Sequence, residues 1–152
     1  MNGPKRVLLV EDDPKDVELI WETLAENNLA KVMIIVNDGA EALDFLYFRG
    51  RFARREPVYP VAVILDLHLP KLNGLEVLRQ MKNDAQLKRL PVIMLSSSRE
   101  AADVAECYRR GVNAYVVKPA AAADFADVVK RIGAFFSLVN EPPPCGRSRK
   151  DE

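Results

Sequence analysis

Acidic, hydroxyl and basic side chains follow four short apolar runs of the chain, at the point where each run ends. They are Glu11, Asp12 and Asp13 after the first run, Asp66 after the third, Ser96 after the fourth and Lys118 after the fifth. The carboxyl ends of parallel strands meet at one edge of a sheet, where open α/β proteins bind their ligands. If the runs are parallel strands, carboxylates, a hydroxyl and an ammonium group therefore converge at that edge.

Carboxylates held close together favour a divalent cation and phosphoryl chemistry. Two carboxylates about 4 Å apart repel each other by roughly 4 kcal/mol at an effective dielectric constant near 20, so the cluster would take up protons or a counter-ion. Oxygen ligands with room for water suit Mg²⁺, whose charge would let the Asp66 carboxylate approach an anionic phosphoryl group. Lys118 and the Ser96 hydroxyl can bind further phosphoryl oxygens. The residue types therefore suffice for Asp66 to act as a nucleophile that becomes an aspartyl phosphate.

Each of these residues also has an ordinary structural explanation. Asp13 precedes Pro14, the pattern of a helix N-cap with proline at the first helical position, and we expect Asp13 to act only as a cap. A single Asp after an apolar run, such as Asp66, is more often a turn or cap residue than a nucleophile. Ser96 alone would be a helix-start hydroxyl, and Lys118 alone a solvated lysine. Their joint presence in the right strand order favours the functional interpretation.

Five short apolar runs alternate with amphipathic segments along the chain. The runs are 7–10, 32–36, 61–65, 92–95 and 114–117. They are rich in Val and Ile without polar alternation, which is typical of parallel strands that are buried on both faces. The segments between them carry apolar residues at helical spacing. We expect the helices to begin near Asp13, Asp38, Asn73, Ser98 or Arg99, and Ala123, and the fifth to end near Val139.

This alternation predicts the fold class. A βαβα order implies a parallel sheet with helices on both faces and right-handed crossovers. Five units match an α/β, flavodoxin-like, doubly wound five-stranded parallel sheet of order 2-1-3-4-5 with five helices. We assign residues 1–139 to this one domain. The Pro-rich, charged segment 140–152 is expected to be a disordered C-terminal tail.

The overall composition gives no bias towards nucleic acid or membranes. The 152 residues include 22 basic and 22 acidic ones, so partners must be recognised by local surface rather than by net charge. The apolar run after the basic N-terminus is too short for a signal peptide or a membrane span, and we expect a cytoplasmic protein. Cys107 and Cys145 lack metal-type spacing. Two reduced thiols are the simpler interpretation, although one disulfide between them stays open.

The segments around these residues resemble the receiver domains of two-component response regulators. The matching segments are 7–14 (VLLVEDDP), 64–70 (ILDLHLP) with 73–78 (NGLEVL), 90–96 (LPVIMLS) and 111–119 (GVNAYVVKP). They occur in the family's order with family-like separations, and the resemblance covers roughly residues 5 to 138. It implies that a sensor histidine kinase transfers a phosphoryl group from its phosphohistidine to this protein.

The resemblance implies a Mg²⁺-dependent phosphoacceptor site. Asp66 corresponds to the phosphoacceptor, and Glu11 and Asp12 correspond to the family's acidic pair. Asp12 and Asp66 would then bind Mg²⁺ directly through their side chains. The backbone carbonyl of His68 would complete the ligand set.

The resemblance also implies a conformational switch. Ser96 and Tyr115 correspond to the switch pair: Ser96 would move towards the phosphoryl group, and Tyr115 would fill the space that it leaves. An aromatic residue on a strand is otherwise usually part of the core. Lys118 corresponds to the family's lysine, and the peptide bond before Pro119 is expected to be cis, which would turn Lys118 into the site. Phosphorylation would thereby change the surface of the fourth helix, the fifth strand and the fifth helix.

Two positions depart from the family's commonest pattern. Ser96 replaces the more frequent Thr, which keeps the hydroxyl and loses a methyl group. His68 is the only histidine and follows the acceptor by two residues. Either its imidazole is exposed to solvent and only its backbone matters, which is the simpler interpretation, or its side chain borders the phosphoryl group and controls how long that group survives.

We expect a single receiver without an output domain, which must act through protein contacts. The sequence resembles the regulators that accompany phytochrome-type sensor kinases, so the partner would be a sensor histidine kinase such as a bacteriophytochrome. Phe135 and Leu138 lie off the apolar stripe of the fifth helix, where they either pack on the tail or the fourth helix or form a homodimer face. The arginines at 49, 51, 54 and 55 predict a solvated loop rather than a DNA contact, because no recognition-helix motif accompanies them.

Three other functions use similar residues. A flavin carrier of this fold needs a phosphate-binding loop after the first strand, where Glu11 and Asp12 would repel phosphate. A haloacid-dehalogenase-like phosphatase expects a second Asp two residues after its nucleophile, where His68 stands. A receiver-like scaffold that is never phosphorylated has no need for the full set of acidic, hydroxyl and lysine residues. We therefore predict a phosphoacceptor switch, which catalyses only its own phosphorylation and dephosphorylation, rather than an enzyme.

Overall fold

Strands and helices alternate strictly along the chain in the computed structural model, which describes residues 5–144. The strands are β1 (Val7–Val10), β2 (Met33–Val36), β3 (Ala62–Asp66), β4 (Val92–Ser96) and β5 (Ala114–Val117). The helices are α1 (Pro14–Glu26), α2 (Gly39–Leu46), α3 (Gly74–Lys82), α4 (Ala101–Arg109) and α5 (Ala122–Ala134), with short 3₁₀ turns at Gly50–Phe52 and Leu87–Arg89. Helix α5 continues into a wider π-helical turn over Phe135–Val139.

The five strands form one parallel sheet of order β2-β1-β3-β4-β5, which confirms the predicted fold. In the register, Val10 lies between Val36 and Leu65. Asp66 lies beside Leu95, and Ser96 lies beside Val117. All strands therefore end at the same edge of the sheet, and the residues that follow them are brought together there.

Each face of the sheet is covered by its own hydrophobic core. Alternate strand residues point to opposite faces, so Leu8 and Val10 contribute to one core and Val7 and Leu9 to the other. The first core includes buried residues of α2, α3 and α4, and the second includes those of α1 and α5. Burial on both faces explains why the strands are uninterrupted apolar runs.

Several predicted element boundaries differ by one to a few residues from the observed ones, and two of these differences have a clear local reason. Val32 donates its N–H to the carbonyl of Leu29, 2.9 Å away, and so belongs to the turn before β2. Helix α4 begins only after Glu100, not at Ser98 or Arg99. The Ser98 hydroxyl bonds Asp103 of the first turn (2.5 Å), which places Ser98 ahead of the helix.

The connection between α2 and β3 is more ordered than the predicted solvated loop. Arg49 pairs with Asp44 at the surface, at 3.1 Å. Arg55 instead lies flat over the rings of Phe45 and Phe48, with its guanidinium carbon 3.7 and 4.1 Å from the two ring centroids. It also donates to the carbonyl of Phe45 from two nitrogens, and burial lowers its pKa to about 10. Arg55 therefore holds the connection against α2.

The N-cap of α2 offers a direct test of how this end of the fold is stabilised. The Asp38 side chain accepts the N–H of Glu41 at 2.7 Å, and this bond is the main reason why the pKa of Asp38 is below its ordinary value. We expect Asp38→Ala to lower the free energy of unfolding by about 1 kcal/mol at neutral pH, measured by urea denaturation. Glu100→Ala is the matched control, because Glu100 occupies the N-cap of α4 without a capping side-chain bond.

The same cap predicts a pH dependence. A carboxylate whose pKa is lower in the folded state stabilises the fold above its unfolded-state pKa of about 3.9, and this contribution is lost as the pH falls through the folded-state value. The difference between Asp38→Ala and the wild type should therefore shrink in strongly acidic solution. An equal difference at pH 7 and at pH 2.5 would contradict the role of the charged cap.

Several expectations about the chain ends concern residues that the structure does not describe. Most of the predicted tail, from 145 onwards, and Cys145 lie outside the described residues. Cys107 is a buried free thiol of α4. Within residues 5–144, no helix has the length and apolar character needed to cross a membrane.

Candidate functional site

Three carboxylates meet at the carboxyl edge of the sheet, as the sequence predicts. Glu11 and Asp12 follow β1, and Asp66 is the last residue of β3. One ligand oxygen from each lies within 4.8 Å of the others. Glu11 is almost fully buried, at 1% exposure, whereas Asp12 is exposed. The cluster thus has a buried floor and an open side.

Lys118, which directly follows β5, is the cation of this cluster. Its Nζ lies 2.7 Å from Glu11 Oε1 and 3.1 Å from Asp66 Oδ2, over sequence separations of 107 and 52 residues. Burial alone would lower the pKa of Lys118, but the bonds to Glu11 and Asp66 outweigh it and raise that pKa above its ordinary value. For Glu11, burial prevails over the same bond and raises its pKa. Lys118 is therefore a fixed positive charge beside a carboxyl that is costly to ionise.

The Asp66 carboxylate is oriented by the backbone that follows it. Its Oδ1 accepts the N–H of His68 at 2.9 Å, while Oδ2 faces Lys118. The following loop turns back so that the N–H of Gly74 reaches the carbonyl of Leu67 at 3.1 Å. Asp66 is largely buried, with 9% of its surface exposed, and the exposed Asp12 lies beside it in the cluster.

Ser96 and Tyr115 are linked through Ser98 rather than by direct contact. The Ser96 hydroxyl oxygen accepts the N–H of Ser98 at 3.1 Å, and the Tyr115 hydroxyl donates to the carbonyl of Ser98 at 2.9 Å. The N–H of Lys118 donates to the carbonyl of Ser96 at 2.7 Å, which ties the ends of β4 and β5 together. Ser96 is fully buried and Tyr115 partly buried. The two predicted switch residues and the lysine thus belong to one connected segment.

The prediction of a cis peptide bond before Pro119 is wrong. No cis bond occurs among residues 5–144, so the bond between Lys118 and Pro119 is trans. The trans form is the default, favoured by about 0.5–1 kcal/mol even before proline. Lys118 nevertheless reaches Asp66, so the cis geometry is not needed to turn this side chain into the site.

The His68 imidazole is exposed, in agreement with the simpler of its two interpretations. The residue contributes its backbone N–H to the orientation of Asp66. Binding of a cation by the His68 carbonyl stays a prediction.

One residue of the site was missed in the sequence. Asp16, in the first turn of α1, places its Oδ2 3.1 Å from Nζ of Lys118. The sequence pattern at the start of this helix predicts only a cap, which Asp13 indeed supplies by accepting the N–H of Lys15. The first turn of α1 begins directly after β1, which keeps Asp16 near the strand end, but the sequence does not determine whether its side chain faces Lys118.

The donor set fits a hard divalent cation. Lys118 pairs with the carboxylates of Glu11, Asp16 and Asp66, and Asp12 adds a fourth carboxylate beside Glu11 and Asp66. Such an excess of negative charge around a partly buried space favours a cation with oxygen ligands and retained water, which is the preference of Mg²⁺. The exposed side at Asp12 provides an entry path. Glu11, Asp12 and Asp66 could hold the ion.

A family profile and a similar protein of known family both relate this chain to response regulators. The profile of the response regulator receiver domain matches residues 7–130. Over 135 residues the chain is 37% identical to the response regulator Rcp1 of Synechocystis sp. (strain ATCC 27184 / PCC 6803 / Kazusa), which covers 89% of this chain and 90% of Rcp1.

Solved structures share the fold over almost the whole chain. The phosphorylated cyanobacterial phytochrome response regulator RcpA superposes with a TM-score of 0.83 at 37% identity, over 93% of this chain and 99% of RcpA. The Mn²⁺-bound form of Rcp1 gives 0.82 at 36% identity, over 92% and 99%. The bacteriophytochrome response regulator RtBRR gives 0.72 at 47% identity, over 95% and 87%.

Proposed function

The chain belongs to the response regulator receiver domain family, and on that premise we propose that it is a phosphorylation switch whose acceptor is Asp66. The observation that carries the proposal is the position of Asp66, at the end of β3, between Lys118 and the carboxylates of Glu11 and Asp12. A structural cap would need neither a partly buried lysine nor a second and third carboxylate. The same arrangement opposes a flavin carrier, since carboxylates line the place where its phosphate would lie.

Phosphoryl transfer requires an oriented nucleophile and neutralisation of the phosphoryl charge. The His68 N–H fixes Oδ1 of Asp66 and so directs the carboxylate towards the open side. As Asp66 attacks, one of its carboxylate oxygens forms a bond to phosphorus. The bond between phosphorus and the donor's imidazole nitrogen breaks, and its electron pair stays on that nitrogen. Lys118 can then exchange its bond to Asp66 for one to a phosphoryl oxygen. We propose Mg²⁺ as the cofactor, which when bound would supply charge neutralisation between Asp66 and the donor.

The link through Ser98 supports a switching route. If the Ser96 hydroxyl turns to donate to a phosphoryl oxygen, its contact with the Ser98 N–H is disturbed. Ser98 also accepts the Tyr115 hydroxyl, so its displacement releases Tyr115 from its present position. We therefore propose that phosphorylation changes the surface of α4, β5 and α5. Several charge-assisted hydrogen bonds can supply the roughly 5.5 kcal/mol that drives such a two-state change from 1:99 to 99:1.

The proposed phosphoryl donor is a sensor histidine kinase in the cytoplasm. Relatives named as phytochrome and bacteriophytochrome response regulators, at 37% and 47% identity, support a kinase of the phytochrome type. We propose that the output is a protein–protein contact rather than DNA binding. The protein would catalyse only its own phosphorylation and dephosphorylation.

The test of the proposed function is stoichiometric labelling. The protein is incubated with Mg²⁺ and a small acyl phosphate and then weighed by mass spectrometry. We expect the mass to increase by one phosphoryl group on Asp66, and the increase to disappear when Mg²⁺ is chelated. Continuous turnover of the donor without a labelled protein would indicate a phosphatase instead, and no adduct would indicate an unphosphorylated scaffold.

We also propose that the end of α5 binds a second copy of the chain. Phe135, Leu138 and Val139 are 45%, 78% and 73% exposed, which is unusual for three apolar side chains in one turn. A two-fold dimer would bury the same patch on both copies. We expect sedimentation to give a dimer for the wild type and a monomer for Phe135→Asp/Leu138→Asp.

A matched control for the dimer test is Val58→Asp. Val58 is an exposed apolar residue on the connection before β3 and is not part of α5 or its π-helical turn, so the dimer should persist in this variant. If the Phe135→Asp/Leu138→Asp variant sedimented with the same mass as the wild type, the proposed interface would be contradicted.

A further inference from the structure

The ammonium group of Lys118 is saturated by three carboxylates. Its Nζ lies 2.7 Å from Glu11, 3.1 Å from Asp16 and 3.1 Å from Asp66. An ammonium group has three N–H donors and no acceptor, so each carboxylate takes one hydrogen. The Lys118 side chain is 15% exposed, so these bonds replace most of its contact with water.

The three partners differ in what else they do. Glu11 and Asp66 belong to the carboxylate cluster that could hold a cation, and Asp66 is the proposed acceptor. Asp16 lies outside that cluster, and among residues 5–144 its side chain bonds only Lys118. It comes from the first turn of α1, so it approaches the ammonium from a different element than the strand-end carboxylates.

From this geometry we propose that Asp16 is a positioning residue for Lys118. Asp16 holds the ammonium group close enough to Asp66 for Lys118 to donate a hydrogen bond to a phosphoryl oxygen on that residue. The proposal rests on the proposed function, since it concerns the same reaction at Asp66.

The need for such a residue follows from the lysine side chain. Lysine has a flexible four-carbon stem and loses as much rotamer entropy as any side chain when it is fixed. During phosphorylation, a carboxylate oxygen of Asp66 would bond phosphorus, and Glu11 would be shared between Lys118 and a bound cation. Asp16 has neither role, so its bond to Lys118 persists through the reaction. Without it, the ordering of Lys118 would have to be completed during the transfer itself.

If the negative charge of Asp16 acted only by repelling the anionic donor, its removal would speed up labelling rather than slow it. Asp16 adds negative charge near the site, so its neutralisation should ease the approach of an anionic donor. If charge dominated, Asp16→Asn would speed up labelling, and so would neutralisation of another acidic residue nearby. Glu18 provides this control, because it lies on the same helix, is exposed, and is not among the three carboxylates that bond Lys118 within residues 5–144.

The test measures the rate of Asp66 labelling by a small acyl phosphate at saturating Mg²⁺. We expect Asp16→Asn to label about tenfold more slowly than the wild type, which corresponds to about 1.4 kcal/mol and lies within the range of coupling between contacting residues. Asp16→Glu keeps the carboxylate and should recover most of the rate. Glu18→Gln should stay within about twofold of the wild type.

A second measurement reads the contact itself. In protein labelled with ¹⁵N-lysine, the bonded Lys118 ammonium should give a distinct proton–nitrogen NMR signal, because its hydrogens are shielded from exchange with water. We expect this signal to weaken in Asp16→Asn and to persist in Glu18→Gln. If Asp16 only stabilised the start of α1, Asp16→Asn would lower the free energy of unfolding without a selective change in the Lys118 signal.

The outcomes separate this proposal from the proposed function. A wild type that is not labelled on Asp66 overturns the proposed function itself. A labelled wild type with Asp16→Asn equally fast or faster overturns the role of Asp16 alone, as does an equal slowing by Glu18→Gln. Slow labelling by Asp16→Asn, recovery by Asp16→Glu and selective loss of the Lys118 signal support it.

Discussion

Asp66→Asn is expected to abolish phosphoryl labelling while leaving the protein folded. The amide is nearly the same size as the carboxylate, so it can keep the bond from the His68 N–H and the packing at the end of β3. It lacks the negative charge and the nucleophilic oxygen pair, so no acyl phosphate can form. We expect the labelling rate with a small acyl phosphate and Mg²⁺ to fall below detection, which is a loss of at least about 10³-fold for removal of a nucleophile.

The matched control for this variant is Asp13→Asn. Asp13 is an acidic residue close to the cluster, and its exposed side chain only caps α1 through the N–H of Lys15. An asparagine can cap equally well, so this variant should label at nearly the wild-type rate. Full labelling of Asp66→Asn would show that phosphate attaches elsewhere, and the function proposed for this edge of the sheet would have to be abandoned.

The convergence of Asp66 and Lys118 was predictable because it depends only on strand order. Apolar runs identify the strands, and parallel strands bring their carboxyl ends to one edge whatever the connections between them. The observed 3.1 Å between Lys118 Nζ and Asp66 Oδ2 is the local consequence. Asp16 was not predicted, because its contact depends on how α1 is placed above that edge, and the placement of a helix is not contained in strand order.

Side-chain exposure was predicted less well than fold. Trp21 stands three residues before the buried Leu24 on α1, a spacing that favours burial, but it is 41% exposed. Val139 stands three residues after the buried Phe136, a spacing that would continue an apolar helix face, but it is 73% exposed, because the helix widens into a π-helical turn from Phe135 onwards. A wider turn changes the angle between successive residues, so a stripe extrapolated at 3.6 residues per turn no longer faces the core. Arg55 illustrates a third limit: stacking on Phe45 and Phe48 leaves no periodic signal in the sequence.

Gly74→Ala is expected to have the largest effect on stability among the variants considered. Gly74 is the first residue of α3 and packs against the backbone that carries the acceptor. A Cβ atom built there would lie 2.4 Å from the carbonyl oxygen of Asp66 and 3.1 Å from Cα of Leu67. Both neighbours are backbone atoms and cannot rotate away, so α3 or the end of β3 must move. We expect a loss of about 2–3 kcal/mol in the free energy of unfolding, the upper part of the range for overpacked sites.

The same clash couples stability to function. The strand end that must move carries Asp66, the proposed acceptor, and under the proposed function its position relative to Lys118 should affect the labelling rate. Gly74→Ala should therefore label more slowly than the wild type even under conditions where it is fully folded. The free energy of unfolding, from urea denaturation, and the labelling rate are measured on the same preparation of Gly74→Ala.

Gly133→Ala provides a control of opposite sign. Gly133 lies inside α5, and a Cβ there would meet side-chain atoms of Leu29, Met33 and Leu24 at 3.5–3.9 Å, which is ordinary van der Waals distance. Alanine in a helix interior is favoured over glycine by about 0.5–1 kcal/mol because the unfolded chain has less freedom to lose. We therefore expect Gly133→Ala to be slightly more stable than the wild type and to label at the same rate. If Gly74→Ala proved equally harmless, the close approach of α3 to the Asp66 carbonyl could not be what fixes the acceptor in place.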